Sequence, residues 1–372
     1  MRNHIRTIVV SILAIALLGW FLRNANLGAV LGAVRRARPE MIVAGFVLVA
    51  ITYWMRVVRW QYLLEPVGPT RFRTALRTTV IGFAASFLLP ARAGDVLRPY
   101  LLARQEGLRP TATFATIVVE RVLDLIAVLT LLAYFVWGSG GRAVPVDLLG
   151  PIQVAAALAG LAALGLMVGM FILALHPERV GNIVRGLNRV LPHRIAETLA
   201  GLARTFSEGL AVAKTPRPLV IALVWSYPLW IVIALEAWCI TQALRIDMSV
   251  GGSFLLQALL VIGVAVPTPG AVGGFHEAYR IGVTTFFGAP NDDAVAAAIV
   301  LHALSFIPVT IVGLIFMAGD GLSMSGLRGL TSVAHAAETS DAETRVGADT
   351  TANAVYPETG NDEVPVLRPS GR

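Results

Sequence analysis

The chain has 372 residues, of which 56% are hydrophobic and 14% are charged, and its formal net charge is +7. A soluble domain usually carries about 25% charged residues, so the composition excludes an ordinary soluble protein and predicts a polytopic membrane protein. A basic, apolar body suits anionic lipid surfaces better than nucleic acid, and membrane lipids are the expected partners. Because Cys239 is the single cysteine, a disulfide framework and a multi-thiolate metal site are excluded.

The apolar segments predict an all-α fold with about six to eight membrane helices. Residues 1–318 are expected to form the membrane domain, and residues 319–372, which lack apolar periodicity, a disordered acidic tail. Residues 178–214 carry apolar side chains at helical spacing among arginines. This pattern predicts amphipathic helices on the cytoplasmic surface, or alternatively a recruitment surface for a partner. The predicted full spans are residues 8–22, 41–64, 111–137, 151–175, 219–240 and 293–318.

The first broken segment is an apolar stretch at residues 78–89. Its twelve residues would extend ~18 Å as a helix, well short of the ~30 Å hydrocarbon core. Lipid cannot satisfy the backbone groups that such a break leaves unpaired, so we predict a re-entrant hairpin covered by protein or by a watery cavity. The break and the charges directly behind it are Pro90, Arg92, Gly94, Asp95 and Arg98.

A second broken segment, residues 254–266, has the same character. Asp95 and Arg98 align with Glu277 and Arg280 at one constant offset of 182 residues (277 − 95 and 280 − 98). Paired interrupted segments in two halves of a chain predict an inverted repeat with the binding site at its centre. The predicted halves are residues 41–137 and 219–318, and the second set of breaks is Pro267, Pro269, Gly270, Gly273 and Gly274.

The orientation in the membrane has two solutions. A cytoplasmic amino terminus puts the regions 71–109 and 179–217, which are rich in arginine, on the cytoplasmic side, as the positive-inside rule prefers. The second solution has an external amino terminus, and it requires residues 78–89 to form a complete span.

Ionisable side chains inside membrane spans are costly and usually face a cavity or an opposite charge. We predict that arginines here receive the phosphate of a lipid headgroup, and that acids pair with them when the site is empty. The predicted headgroup residues are Arg56, Arg92, Arg98, Arg121 and Arg280. The predicted ion-pairing or proton-exchanging residues are Asp95, Glu120, Asp124, Glu277 and His302. The alternatives are a static ion-pair network and, for Arg56, an interfacial position within an aromatic belt. No metal-site spacing is present, and no cofactor is expected.

Three motifs together resemble the lysylphosphatidylglycerol synthase transmembrane family, also called flippase-like, which is the membrane half of the multiple peptide resistance factor. The resemblance covers about residues 1–318. One departure is Ala271, because the family's second motif often reads Gly-Gly-x-Gly. The motifs are Pro90-x-Arg92-x-Gly94-Asp95-x-x-Arg98, Glu120-Arg121-x-x-Asp124 and Pro269-Gly270-x-x-Gly273-x-x-x-Glu277.

The resemblance implies a multi-pass protein of the bacterial cytoplasmic membrane that moves a lipid between leaflets. The cargo would be an anionic or aminoacylated phospholipid, or a polyprenyl or hopanoid-type lipid. Full-length synthases continue into a soluble aminoacyl-transferase domain, which we do not expect here, so a separately encoded enzyme could modify the lipid. The alternatives are an integral-membrane enzyme acting on a lipid phosphate and a non-transporting scaffold subunit.

Overall fold

The computed structural model describes residues 18–19, 21–23, 25–89, 93–138, 141, 144–175, 215–266 and 268–320. Several predictions lie outside these residues: most of the first span, the amphipathic segment 178–214, the tail beyond residue 320, and the positions Pro90, Arg92 and Pro267. These expectations therefore stay predictions.

The described part is helical and contains no strand. Its ten α-helices are α1 (Leu27–Arg35), α2 (Pro39–Leu64), α3 (Phe72–Leu88), α4 (Gly94–Glu106), α5 (Pro110–Trp137), α6 (Val146–Leu175), α7 (Pro216–Ala243), α8 (Gly252–Ala265), α9 (Gly274–Phe287) and α10 (Asn291–Gly319). A short 3₁₀ turn, Pro269–Ala271, lies between α8 and α9.

The predicted class, an all-α polytopic membrane protein, is confirmed. Helices α2, α6, α7 and α10 are each long and apolar enough to cross a membrane. Helix α5 has 28 residues, ~42 Å at 1.5 Å per residue, and differs from them in carrying three charged side chains near its middle. Leucines on the outside of α6, such as Leu158 and Leu161, are 62% and 65% exposed, as expected for side chains that face lipid.

Two helix starts differ from the prediction. α3 begins at Phe72 rather than residue 78, so that Arg73 and Arg77 lie in its first turns. Arginines are tolerated there because their long side chains can reach the membrane surface. α6 begins at Val146, five residues before the predicted start at Pro151. There the carbonyl oxygen of Pro145 accepts hydrogen bonds from the amides of the first turn.

Helices α3 and α4 form the first hairpin. Their 17 and 13 residues correspond to ~26 Å and ~20 Å, so neither crosses a full bilayer. A β-carbon on Gly94 would overlap the carbonyl oxygen of Gly82, so the two backbones touch near the tip. At the open end, Arg71 and Glu106 form an ion pair of 3.2 Å. The chain therefore returns to the side from which it entered, as the re-entrant prediction requires.

Helices α8 and α9 repeat this construction. Each has 14 residues, or ~21 Å. A β-carbon on Gly274 would overlap the carbonyl oxygen of Gly263, and one on Gly252, at the start of α8, would meet the ring of Phe287, at the end of α9. The second hairpin is therefore closed by the same kind of glycine contact as the first.

The two halves pack as an inverted repeat. Helix α2 runs antiparallel to its counterpart α7: the amide of Arg38 donates to the carbonyl oxygen of Ala243 at 3.0 Å, while Arg59, near the other end of α2, donates to Ser226 at 2.9 Å. The first arm of each hairpin packs against the last helix of the other half, α3 on α10 and α8 on α5. Reciprocal contacts of this kind are expected of two halves that form an inverted repeat.

The glycine contacts predict a selective loss of stability. We expect Gly94→Ala and Gly274→Ala each to lower the unfolding free energy by roughly 1–3 kcal/mol, because a methyl group forces two backbones apart. Gly165→Ala is the matched control, since a β-carbon there meets nothing within 4 Å. Thermal unfolding in detergent measures the effect, and equal transitions in all three variants would contradict the hairpin packing.

Candidate functional site

A cavity of about 440 Å³ lies where the two hairpin tips meet. A β-carbon on Gly270 would lie 3.7 Å from the carbonyl oxygen of Phe87, and the ring of Phe87 lies 4.2 Å from that of Phe306 on α10. The wall is mostly apolar and rich in aromatic rings. Its charged side chains are Arg56, Asp95, Arg121, Asp124 and Glu236.

Arg59, on α2, is the centre of a buried ion network behind this wall. Its side chain has no exposed surface, and its Nη1 atom lies 2.5 Å from Asp124 Oδ1 while its Nη2 atom lies 3.3 Å from Glu120 Oε1. Trp230 on α7 also donates to Asp124, at 2.8 Å. Since both acids are on α5 and Ser226 is on α7, Arg59 ties three helices together.

Arg98 connects the first hairpin to this network. Its Nη1 atom donates to Glu120 at 3.1 Å, and its guanidinium carbon lies 3.8 Å from the centre of the Trp60 ring. Its side chain is 3% exposed and does not belong to the cavity wall. Arg98, which we predicted as a headgroup residue, is therefore placed as a buried partner of Glu120 behind the site.

Arg121 lies in the cavity wall and is surrounded by acids. Its guanidinium nitrogens lie 3.8 Å from Asp95, 3.2 Å from Glu120 and 3.4 Å from Asp124. Its side chain keeps 35% of its surface exposed. The predicted pairing of these acids with arginines is thus present, and Arg121 is the member of the network that reaches the cavity.

Arg56 is the wall cation that has neither a hydrogen-bond nor an ion-pair partner among the described residues. Its guanidinium carbon lies 5.1 Å from the centre of the Phe83 ring, and its Nη1 atom is buried. Buried donors are nearly always hydrogen-bonded in folded proteins, and a guanidinium is well shaped for bidentate binding of an oxyanion. Arg56 therefore has free capacity for an anion.

Glu236, in the middle of α7, also lies in the wall and was not among the predicted site residues. It is 5% exposed, and the hydroxyl of Ser305 on α10 donates to its Oε1 atom. Arg59 was considered only together with Arg56, as an arginine that either reaches the membrane surface or faces inward to a lipid phosphate. In both cases the available signal was an ionisable side chain within an apolar span.

The tip of the second hairpin is held by two histidines. His302 Nε2 lies 2.7 Å from the carbonyl oxygen of Gly270, and His276 Nδ1 accepts a hydrogen bond of 3.3 Å from the amide of Gly273. Ala271 adopts a φ of 56°, a left-handed conformation that costs a non-glycine residue about 1–2 kcal/mol. The departure from the family's second glycine therefore carries strain. Proton exchange by His302 remains a prediction.

The pair Glu277 and Arg280 does not share the cavity, contrary to our expectation that both acid–arginine pairs face one groove. Arg280 Nη2 lies 2.5 Å from Glu277 and its Nη1 atom donates to Asn291 at 3.2 Å, and neither member of the pair lines the wall. The reason lies at the position aligned with Glu120, which is His302. Without a carboxylate there, Arg280 pairs with the acid on its own helix.

The predicted breaks have structural roles at the tips. Gly94 and Gly274 begin α4 and α9, and Pro269 and Gly270 belong to the 3₁₀ turn. Within the described ranges, no group of three or more His, Cys, Asp or Glu residues is arranged to hold a metal ion.

The buried network predicts a strong dependence of stability on Arg59. We expect Arg59→Gln to lower the unfolding free energy by roughly 3–5 kcal/mol, because it leaves Glu120 and Asp124 short of a buried cation. Arg71→Gln is the control: its ion pair with Glu106 lies at the surface, with the arginine side chain 75% exposed, and such pairs contribute little. Thermal unfolding of both variants checks this, and similar losses would show that the network is not the main support.

Comparisons with known proteins agree with this architecture. Residues 8–313 match the family model described as the lysylphosphatidylglycerol synthase TM region. The chain is 27% identical to the glycosyltransferase AglD of Haloferax volcanii over 90% of this chain, and it spans 56% of the length of AglD. It is also 27% identical to a UPF0104 membrane protein of Methanothermobacter thermautotrophicus, over 87% of this chain and 96% of that protein. A UPF0104 membrane protein of Methanocaldococcus jannaschii is 24% identical, over 78% and 88% of the two chains. Because the family model matches most of the chain, this multi-pass membrane protein belongs to the lysylphosphatidylglycerol synthase TM region family.

Proposed function

We propose that the protein moves a lipid with an anionic headgroup between the two leaflets of the membrane. The observation that carries this proposal is the cavity at the meeting point of two re-entrant hairpins, in which Arg56 presents a buried donor that has no partner among the described residues. Transporters built from inverted repeats bind their substrates at this place, between broken helices near the midplane.

The size and lining of the cavity support a lipid headgroup as cargo. Its volume of about 440 Å³ falls within the range of about 300–1,000 Å³ for small-molecule sites. The phosphate would bind to Arg56 and Arg121, and the apolar and aromatic wall would contact the glycerol and the first methylene groups. The acyl chains would remain in the bilayer, because transferring them into a protein cavity gains little over lipid.

The helix termini at the tips add a second source of attraction. Helices α4 and α9 both begin at the tips, at Gly94 and Gly274. The first amides of a helix are unpaired and carry a partial positive charge, which favours anions. Half-helices that begin at the midplane therefore favour a phosphate at that depth.

Two kinds of lipid headgroup agree with the comparisons, and both contain a phosphate. The family description names a synthase of an aminoacylated phospholipid, and AglD is named as a glycosyltransferase. A phospholipid and a polyprenyl-phosphate sugar both bring a phosphate to Arg56, and either fits the proposal. We place this activity in the cytoplasmic membrane of a bacterium, following the family resemblance. A membrane enzyme acting on a lipid phosphate, or a scaffold subunit, is the alternative that the following experiment would favour if no lipid moves.

The role of Arg56 is testable by leaflet exchange. The purified chain is reconstituted into phosphatidylcholine vesicles that contain fluorescent phosphatidylglycerol, and exchange is followed by chemical quenching of the outer leaflet. We expect Arg56→Gln to slow exchange by about tenfold or more, because a hydrogen bond to a charged group contributes about 1.5–3 kcal/mol.

Two controls make this result specific. Arg280→Gln changes an arginine outside the cavity wall and should leave exchange near the wild-type rate. Fluorescent glucosylceramide, which has no phosphate, should show no dependence on Arg56. Exchange of phosphatidylglycerol at equal rates in the wild type and in Arg56→Gln would reject the headgroup site.

A further inference from the structure

Glu236 differs from the other acids of the cavity wall. Asp95 and Asp124 each lie 3.8 Å or less from an arginine nitrogen, whereas Glu236 has no arginine in ion-pair contact among the described residues and accepts a hydrogen bond from Ser305. An ionised carboxylate is costly to bury without a cation. The charge on Glu236 therefore depends on the positive field that reaches it across the cavity.

The cation that can supply this field is Arg56, which lines the same cavity as Glu236 and is itself without an ion-pair partner in the described ranges. The antiparallel register of α2 and α7 gives their separation. A β-carbon on Gly45 would meet Ile240 at 3.1 Å, so Glu236, one turn earlier on α7, lies level with Val49. Val49 is seven residues from Arg56, or ~10 Å along the helix. The two charges influence each other without touching.

We propose that Glu236 is a proton-binding site coupled to the headgroup site, so that an anion bound at Arg56 brings one proton onto Glu236. In the empty cavity, the guanidinium of Arg56 stabilises the carboxylate of Glu236. A bound phosphate cancels that positive charge, and the carboxylate then takes a proton from hydronium, which leaves a neutral carboxyl group and water. Lipid binding and proton binding favour each other by the same factor. A lipid carried through this cavity takes a proton with it.

The other titratable groups around Glu236 are already engaged or neutral. Asp95 and Asp124 are paired with Arg121, and His302 holds the carbonyl oxygen of Gly270. A tyrosine phenol and a cysteine thiol are neutral at neutral pH unless strongly perturbed. The charged and titratable groups that share the cavity wall with Glu236 are Arg56 and Tyr53 on α2, Asp95 on α4, and Arg121 and Asp124 on α5. Cys239 lies near Glu236 on the same helix, α7.

This inference rests on the proposed headgroup site and assigns the proton to a residue outside the five that we considered from the sequence. Three of those five, Asp95, Glu120 and Asp124, are paired with Arg121. Glu277 is paired with Arg280 away from the cavity wall, so a headgroup in the cavity has no direct route to change its charge. His302 is fixed by its contact with the second tip. Glu236 lines the same cavity as the proposed headgroup site and has no ion pair within the part of the chain that the structure describes, which makes it the acid whose protonation the headgroup controls.

The experiment measures protons taken up per lipid bound. Short-chain dihexanoylphosphatidylglycerol is titrated into the full chain in detergent by calorimetry, in two buffers with different ionisation enthalpies. We expect the wild type to take up as much as one proton per lipid, and its affinity to rise by up to about tenfold for each unit by which pH falls. Glu236→Gln should bind the lipid without proton uptake and without this pH dependence. Glu277→Gln should retain both.

Further variants separate the possible failures. Glu236→Asp keeps a titrating carboxylate and should retain proton uptake, which gives a second measurement if the glutamine variant does not fold. Lipid binding without proton uptake in the wild type, or equal uptake in Glu236→Gln, overturns the coupling and leaves the headgroup site standing. Absence of binding in the wild type, or equal binding in Arg56→Gln, rejects the headgroup site and the coupling together.

Discussion

The guanidinium of Arg59 lies fully buried between Glu120 and Asp124, at a depth where lipid offers no competing partner. A charge in that position must be paired by protein, and each pairing partner fixes the position of a helix. Through Asp124, Glu120 and Ser226 the same side chain holds α5 and α7 against α2. Arg98 then adds the first hairpin to the network through Glu120. The free-energy cost of an unpaired charge within the membrane therefore favours the packing of these helices around Arg59.

The two halves share a backbone plan but are held by different chemistry. The first hairpin is bound to α5 by the charged pair Arg98 and Glu120. At the aligned position of the second half, His302 binds a backbone carbonyl at the hairpin tip instead. An ion pair without water resists separation more strongly than one hydrogen bond to a carbonyl. The two hairpins are therefore anchored by different interactions at their aligned positions, and the second is also tied to α7 by the hydrogen bond between Tyr279 and Thr241.

The architecture could be predicted because it follows from features that are visible in the sequence itself. Short apolar arms, glycine and proline breaks, and one constant offset between halves are visible without side-chain positions. The direction in which a single arginine side chain points could not be predicted in this way. Arg280 matches Arg98 in spacing, but the position aligned with Glu120 is His302 rather than an acid, and Arg280 pairs with Glu277 on its own helix. The proposed role of Glu236 was equally hidden, since it depends on Arg56 across a cavity that forms only when eight helices and the 3₁₀ turn meet.

The charges around a cavity of this kind must be balanced both when the cavity is empty and when a ligand is bound. In the proposed mechanism, Arg56 and Glu236, which have no ion-pair partners among the described residues, balance each other at a distance when the cavity is empty, so that a ligand can compete for Arg56. When a phosphate enters, the balance is lost unless one charge disappears, and a carboxylate can lose its charge by taking a proton, whereas a guanidinium cannot lose its own near neutral pH. The proposed mechanism therefore needs an arginine at the headgroup and a glutamate across the cavity from it. With the two types exchanged, a carboxylate would repel the phosphate and the remaining cation could not be neutralised.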